Sequence, residues 1–398
     1  MPTMPKVAAI ITTYYPNSHA DVIVTRFMEG FPSDEGVVPP KSALVSMWLD
    51  QIGKNDMGVA KAAEHGVPIY RSIREALTLG GKELAVDGVL LIGEHGDYPH
   101  DEWDRHMYPR RHLFEQVCGV FAETKKVSPV FIDKHLSYNW QDSAWMMARA
   151  RQLGVPLMAG SSLVVCWRQP ELELPLETDM SDAVALGFGP LEAYGYHTVE
   201  TLQCMVERRS GGEKGVAAVT CLSGKDVWEA GRKGLWSREL FEAALSTVFT
   251  KKDEPPQTGC AEPYAVLVEY LDGFRAAVIM LNGYIVDWAF AAQVRGKVVA
   301  TEFALEYGPP FSHFGYLSRN VEQMFITGTP QYPVERTAIT TGITSAMMES
   351  HAKGGVRIET PYLAIPYRSY EKMPIRPYGH TRPGKTGEGY KPIGYFES

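Results

Sequence analysis

Two clusters of ionisable side chains within residues 87–140 are the part of this sequence best suited to chemistry. The apolar run Gly88–Gly93 ends in Glu94–Asp97, and the apolar run Pro129–Ile132 ends in Asp133–His135. Five of the eleven histidines of the chain lie in this stretch. A lysine whose pKa is lowered by burial can serve as a general acid or base, and imidazole with carboxylate can bind a metal ion or line a polar sugar pocket. Both kinds of chemistry stay open at this point.

A parallel β-α-β unit would bring the two clusters together. Continuous apolar runs bounded by glycine and proline are typical of strands buried on both faces, and a helical stretch separates these two. Ligands of open parallel sheets bind beyond the carboxyl ends of the strands, so both clusters are expected to face one crevice. The polar stretch before the intervening helix contains Arg110 and Arg111. It is expected to be a solvated helix start or a lid that binds an anionic group.

Alternating strand-like and helix-like segments fill the first 160 residues. Strand and helix alternate six times, and Ser72-x-x-Glu75 has the form of a capping box, with a variant at Ser18-x-x-Asp21. Val67–Tyr70 is included as a short strand. This alternation predicts a Rossmann-like, doubly wound parallel sheet over residues 1–160.

The sequence changes character after residue 160. Asp272-Gly273, Asn282-Gly283 and Arg295-Gly296 separate β-rich runs, and such dipeptides predict hairpins of an antiparallel meander. Residues 161–360 are therefore predicted to form an α+β domain with a large, mainly antiparallel sheet. The tail 361–398, rich in Pro, Tyr and Gly, is expected to be an extended arm.

Composition excludes several classes of protein. The formal net charge of -8 and the lack of a Lys/Arg cluster argue against a nucleic-acid partner. No apolar run reaches membrane-spanning length and no signal-peptide pattern opens the chain, so a cytoplasmic protein without a membrane partner is expected. Five scattered cysteines without CxxC spacing predict reduced thiols rather than disulfides or a thiolate metal site.

The order of elements over residues 6–360 resembles the Gfo/Idh/MocA family of sugar and polyol oxidoreductases. Phe131–His135 is similar to the family's strand that ends in Glu-Lys-Pro, which places Lys134 on its catalytic lysine. Gly195–Glu200 is similar to the family's Gly-x-His segment, which places His197 on its active-site histidine. Phe325–Pro330, followed by a helix, resembles its C-terminal pattern. The resemblance implies a carbohydrate-like substrate and association through the second sheet into a homo-oligomer.

The family's glycine-rich phosphate turn is missing from this chain. Residues 12–18 read Thr-Thr-Tyr-Tyr-Pro-Asn-Ser, whereas the glycines of G-x-G-x-x-G let backbone N–H groups approach a pyrophosphate. Asp50 still occupies the position of a ribose-binding acid, and Asn17 and Ser18 could cap the first helix and leave N–H donors for phosphate. These three residues are the candidate cofactor-binding set, but the sequence predicts that NAD(P) binding is weak or lost.

The candidate site residues follow from the crevice and the resemblance together. Lys134 is expected to be the general acid or base, and the catalytic set is Asp133, Lys134, His135 and His197. Substrate binding is assigned to Tyr15, Glu94, Asp97, Arg110 and Glu192. A divalent metal (Zn, Mn or Fe) is an alternative to a metal-free sugar pocket, and its predicted ligands are His95, His135, His197 and Glu192.

A dense ionisable crevice beside a turn without glycine favours redox-neutral chemistry. The sequence therefore predicts lyase, isomerase, epimerase or hydrolase action on a carbohydrate- or polyol-like molecule. The alternative is a divergent NAD(P)-dependent sugar oxidoreductase. A noncatalytic sugar-binding protein is the second alternative.

Overall fold

The N-terminal part of the chain forms a parallel sheet with helices around it. The computed structural model describes residues 4–306, 308–372 and 374–378. The strands of this part are β1 (Lys6–Ile11), β2 (Phe31–Ser33), β3 (Gly36–Val38), β4 (Ala43–Leu49), β5 (Gly88–Ile92), β6 (Val130–Asp133) and β7 (Leu157–Gly160). Its helices are α1 (His19–Val24), α2 (Arg26–Glu29), α3 (Gly58–Glu64), α4 (Ile73–Thr78), α5 (Arg110–Thr124) and α6 (Trp140–Leu153).

Five of these strands make one parallel sheet in the order β4-β1-β5-β6-β7. All residues of β5, β6 and β7 are buried, as expected for a parallel sheet that is covered on both faces. The predicted doubly wound fold is confirmed. The predicted strand at Val67–Tyr70 is wrong, because it adds only one bridge, between Ile69 and Met47. Pro68 has no N–H to donate to a ladder at that edge.

The rest of the chain forms a larger, mixed sheet with its own helices. Its strands are β8 (Trp167–Gln169), β9 (Met180–Gly187), β10 (Val216–Ser223), β11 (Glu262–Tyr270), β12 (Arg275–Asn282), β13 (Trp288–Val294), β14 (Lys297–Ala304) and β15 (Ile358–Glu359). Its α-helices are α7 (Ala193–Val206), α8 (Lys225–Arg232), α9 (Arg238–Thr247), α10 (Pro256–Gly259), α11 (Ser312–Thr327) and α12 (Val334–Ala352). Two single 3-10 turns lie at Ser162–Val165 and Pro361–Leu363.

The eight strands run in the order β15-β10-β11-β12-β9-β13-β14-β8, which confirms a large, mainly antiparallel sheet. The simple meander predicted from the glycine dipeptides is wrong at one place. Strand β9 lies between β12 and β13 and pairs with β12 in parallel, so Asn282-Gly283 does not connect neighbouring strands. Asp272-Gly273 and Arg295-Gly296 do connect paired strands, β11 with β12 and β13 with β14.

Helices of the same chain cover much of the second sheet. Helix α7 packs on β9, β12 and β13, and α12 packs on β10. Helix α9 packs on β9, β13 and β14, and Ala183–Gly187 of β9 is buried throughout. The strands predicted to mediate association are thus largely occupied within one chain, and the homo-oligomer stays a prediction. Among the described residues, no helix combines the length and apolar character needed to cross a membrane.

A buried carboxylate fastens the start of the C-terminal arm to the second domain. Glu207, at the end of α7, accepts hydrogen bonds from Arg336 Nε at 2.8 Å and Nη2 at 2.5 Å. The hydroxyl of Tyr367 donates to the same carboxylate at 2.7 Å, and Ser369 does so as well. Glu207 and Arg336 are both fully buried. Four donors therefore satisfy one ion that would be costly to bury alone.

Replacement of this carboxylate tests how much the anchor stabilises the fold. Glu207→Gln leaves the Arg336 guanidinium buried without its counter-ion, so we expect the free energy of unfolding to fall by about 3 kcal/mol. Urea denaturation followed by circular dichroism measures the loss. Glu229→Gln, which removes an exposed ion pair with Arg232 on α8, is the matched control and should leave the midpoint unchanged. Equal midpoints for both variants would contradict a structural role for Glu207.

Candidate active site

The ends of β5 and β6 bring Glu94 and Lys134 together, as the parallel sheet predicted. The Lys134 ammonium lies 3.2 Å from Glu94 Oε1, and it also donates to the carbonyl of Ala193 at 3.4 Å. Ala193 is the first residue of α7, so this lysine links the two domains. Only 3% of Lys134 is exposed. An ammonium has three donors, and these two contacts leave the third available to a reacting oxygen.

A second cation shares the Glu94 carboxylate. Arg110, the first residue of α5, donates from Nη2 to Glu94 Oε2 and is fully buried. Gly93 leaves room for it, since a Cβ at this position would lie 2.6 Å from Arg110 Cγ. Burial alone would raise the pKa of Glu94, but the charges of Lys134 and Arg110 hold that pKa well below its usual value. Glu94 is therefore an anion that positions two cations, and Arg110 is buried behind it.

A histidine-aspartate pair lies on the other side of the same strand end. Asp133 is fully buried at the end of β6, and its Oδ2 lies 2.6 Å from Nδ1 of His19. His19 opens α1, and its ring contacts His95 and Phe314 edge to face. His19 is not among the site residues predicted from the sequence. The capping signature at Ser18 places it in the first turn of α1, near the strand ends, but gives no sign of its contact with Asp133.

The three histidines predicted from the sequence, His95, His135 and His197, are held in their neutral form. Burial, and after it the neighbouring charge of His19, lowers the pKa of His95 to about 4. Burial, and then the charge of Arg110, lowers the pKa of His135 well below its usual value. Burial and the charge of Lys134 do the same for His197, whose Nδ1 is buried without a hydrogen-bond partner among the described residues. These imidazoles therefore stay neutral near pH 7, where they can accept a hydrogen bond but are weak bases.

The metal site predicted at His95, His135, His197 and Glu192 receives no support. Over the described ranges, the metal-type side chains whose ligand atoms approach closely enough to share an ion are three exposed residues outside this site, Glu29, Glu64 and His65. Two buried cations beside the predicted ligands give the physical reason. Lys134 and Arg110 would repel a divalent metal ion at this position.

Glu192 is a predicted substrate-binding carboxylate whose pKa is raised. It lies just before α7, and its Oε2 accepts the backbone N–H of His106 at 2.9 Å. Its Oε1 is buried and has no hydrogen-bond partner in the described part of the chain. Burial raises the pKa of Glu192 to about 7, against the opposing effects of that N–H and the Arg110 charge. Glu192 can therefore gain or lose a proton near neutral pH.

Two other predicted substrate-binding residues, Tyr15 and Asp97, line a cleft at the ends of β1, β4 and β5. They do not lie beside Lys134. The cleft measures about 220 Å³ and is lined by Thr13, Tyr14, Tyr15, Gln51, Gly53, Asn55, Asp56, Gly96 and Asp97. In open α/β sheets, this position beyond the first strand is where a dinucleotide binds.

The residues of this cleft fit part of a nicotinamide dinucleotide and not the rest. Asp50 follows β4 where a ribose diol would be recognised, although its Oδ2 now accepts the Tyr98 hydroxyl at 2.5 Å. The turn does not fit a pyrophosphate. The Asn17 N–H that could bind phosphate donates to Asp21 at 2.8 Å, and the Ser18 hydroxyl accepts from Asp21 N and Tyr15 N. A carboxylate thus occupies the place where the family resemblance requires an anionic ligand.

A larger groove lies on the opposite side of the loop that follows β5. It measures about 510 Å³, within the range of small-molecule sites. Its lining includes Trp103, His106, Glu192, Glu262, Tyr264, Asn282 and His351. Ala193, which binds Lys134 through its carbonyl, also lines it, so the groove ends next to the buried centre.

Solved structures with the same fold include dehydrogenases of the family that the sequence resembles. Scyllo-inositol dehydrogenase from Lactobacillus casei, with NAD(H) and scyllo-inositol bound, is 8% identical with a TM-score of 0.55 and covers 90% of this chain and 99% of its own. Myo-inositol 2-dehydrogenase from Lactobacillus plantarum is 10% identical with a TM-score of 0.54 and the same coverage. GenD2 from gentamicin A biosynthesis, in complex with NAD, is 15% identical with a TM-score of 0.56 and covers 90% and 97%. The Gfo/Idh/MocA resemblance is thereby confirmed for the fold.

The redox-neutral reaction predicted from the sequence is corrected by these comparisons. Two inositol dehydrogenases share the fold over 90% of the chain, one of them with NAD(H) bound, which favours the oxidoreductase alternative over lyase, isomerase, epimerase or hydrolase chemistry. The prediction gave too much weight to one turn and too little to the rest of the layout. No protein-family model and no curated protein matches the sequence.

The pKa of Glu192 gives a signed prediction about stability. The folded state holds a proton on Glu192 up to about pH 7, whereas the unfolded chain releases it near 4.5. This group therefore costs no stability below pH 4.5 and costs progressively more as the pH rises to 7. Glu192→Gln removes the cost, so we expect it to stabilise the protein relative to wild type by about 2 kcal/mol more at pH 8 than at pH 5.

Urea denaturation of wild type and Glu192→Gln at both pH values measures this difference. Glu102→Gln, an exposed carboxylate on the same groove, is the matched control and should show the same change at pH 5 and pH 8. A Glu192→Gln effect that does not depend on pH would contradict a buried, protonatable Glu192.

Proposed function

We propose that this protein is an oxidoreductase that interconverts a hydroxyl and a carbonyl group on a carbohydrate- or polyol-like molecule, with a nicotinamide dinucleotide as the hydride partner. The observation that carries the proposal is the position of Lys134. It ends a central strand and is held between Glu94 and the first residue of α7, with the neutral His197 one turn further along. Shared fold with dehydrogenases supports the reaction class.

Lys134 would bind and polarise the reacting oxygen. Its contacts with Glu94 and the Ala193 carbonyl fix the direction of the ammonium and leave one N–H for the substrate. A buried cation stabilises negative charge on an alkoxide-like oxygen more strongly than a solvated one does. The role of Glu94 is to keep Lys134 in place, since its carboxylate is already shared with Arg110.

His197 would accept a hydrogen bond from the substrate hydroxyl. Its imidazole is kept neutral by burial and by the Lys134 charge, and Nδ1 has no partner in the described structure. The lowered pKa makes this imidazole a weak base, so its role is to orient the hydroxyl while the hydroxyl carbon is oxidised. The His19–Asp133 pair at the same strand end would be the proton acceptor.

The coenzyme, when bound, would supply the hydride acceptor or donor. The chain's own contribution to binding would be Asp50 at the ribose and the cleft walls around Gly96 and Gly53. The nine residues that line the cleft include Asp56 and Asp97 and no lysine or arginine. This set offers no positive charge to the 2′-phosphate of NADP, so it favours NAD over NADP.

Loss of Lys134 tests the catalytic assignment. Lys134→Met keeps the volume of the side chain, and Glu94 retains Arg110, so the variant is expected to fold. We expect kcat to fall by about 100-fold or more in NAD-coupled oxidation of a polyol panel, with the unfolding midpoint little changed. Lys126→Met, an exposed lysine paired with Glu83, is the control and should retain full activity. Full activity of Lys134→Met would remove the central residue of the proposal.

Coenzyme binding tests the redox assignment independently of the substrate. We expect NADH to quench the eight tryptophans saturably and to bind at least about tenfold more tightly than NADPH. Asp50→Asn should reduce this preference. Tyr98→Phe should strengthen NADH binding, because it frees Asp50 from its hydrogen bond. Absence of saturable binding of either nucleotide up to millimolar concentration would overturn the nicotinamide assignment.

A further inference from the structure

We propose that the groove beside Glu192 binds a substrate that carries an ammonium group next to its hydroxyls, so that the substrate class is an amino sugar or an amino-polyol. The proposal rests on the proposed function, because it places the substrate in the groove that ends at Lys134. It adds a charge requirement that the fold and the reaction do not imply.

Unpartnered acceptors line the groove. Glu192 Oε1 and Asn282 Oδ1 are buried and have no hydrogen-bond partner in the described structure, and the same holds for His106 Nε2. A buried acceptor without a donor is costly, so a ligand that supplies N–H or O–H groups would be stabilised here. The Asn282 Oδ1 atom can only accept a hydrogen bond. The same is true of Glu192 Oε1 while Glu192 is ionised. The groove is therefore matched to a donor-rich ligand.

The charges around the groove select among donor-rich ligands. Its lining carries four carboxylates, Glu102, Asp104, Glu192 and Glu262, together with three histidines and no lysine or arginine. The cations beside the groove are engaged with other groups, and Lys134 and Arg110, whose charges reach Glu192, share the Glu94 carboxylate. Arg105 pairs with Asp101 at 2.6 Å and Lys353 pairs with Glu349 at 2.5 Å, and both stack on Trp103. A carboxylate-bearing sugar would meet repulsion here, whereas an ammonium would not.

Glu192 is the carboxylate on which the selection depends. It is the one that reaches the inner end of the groove, since the neighbouring Ala193 carbonyl binds Lys134. Glu262, elsewhere in the lining, accepts a hydrogen bond from the Tyr264 hydroxyl at 2.6 Å. An ammonium beside Glu192 would form a charge-assisted hydrogen bond with Oε1 in a partly desolvated place, where such a bond is stronger than at the surface.

Binding in the absence of coenzyme tests this inference. Titration calorimetry at pH 8 compares amines with their neutral and acidic counterparts: 2-amino-2-deoxyglucose, 3-amino-3-deoxyglucose and an aminodeoxy-inositol, against the N-acetyl derivatives, glucose, inositol and glucuronate. We expect at least one amine to bind at least about tenfold more tightly than its N-acetyl and hydroxyl counterparts. Glu192→Gln should remove most of that preference and leave the neutral sugars unchanged. Glu229→Gln, on the surface of α8, is the control variant.

The outcomes separate this inference from the proposed function. Equal binding of amine and neutral sugar, a preference for glucuronate, or no binding of any amine would overturn the inference and leave the NADH titration to judge the redox assignment. An amine preference that Glu192→Gln abolishes would support the inference even if no nicotinamide nucleotide binds. A preference that survives Glu192→Gln would overturn the role of Glu192.

Discussion

The carboxylate of Glu94 is the ion on which the active centre depends. It lies at the end of a fully buried strand and is shared by the Lys134 ammonium and the Arg110 guanidinium. Each cation comes from a different element, and Lys134 extends the connection to α7 through Ala193. One buried anion therefore connects β5, β6 and α5 of the first domain. Through Lys134 it also connects them to α7, the first α-helix of the second domain. Because burying these charges is costly unless all three are paired, their positions are tightly determined.

The loop that follows β5 divides the surroundings of this centre into two cavities. Gly96 and Asp97 line the cleft above β1, whereas Trp103 and His106 line the groove beside α7. Neither lining, as described, includes Lys134 or His197. Coenzyme and substrate could thus approach the same lysine from two sides. In the proposed reaction the loop would have to move, because hydride transfer requires contact between coenzyme and substrate.

Sequence patterns located the centre because they follow from the parallel sheet. Glu94 and Lys134 end neighbouring buried strands, and their meeting follows from parallel strand order alone. His19 was missed because its partner, Asp133, is 114 residues away, and no local pattern announces that contact. The same limit applies to β9, whose insertion between β12 and β13 is a long-range pairing. Two of the three turn dipeptides gave correct hairpins, and none of them indicated that β9 lies between β12 and β13.

The glycine-free turn shows why one motif should not decide the reaction class. Tyr14 is buried in the core, and its hydroxyl lies 2.6 Å from the Thr25 hydroxyl under the first helices. Gly58 accommodates the ring, since a Cβ there would lie 2.8 Å from Tyr14. The turn is therefore a packed element, and Gly58 of the facing helix α3 leaves room for its tyrosine. Such a turn cannot cradle a pyrophosphate closely, yet it leaves Asp50, Lys134 and His197 in place. The binding of the coenzyme phosphates and the chemistry at the substrate are separate physical problems, and only the first is altered by the loss of the glycines.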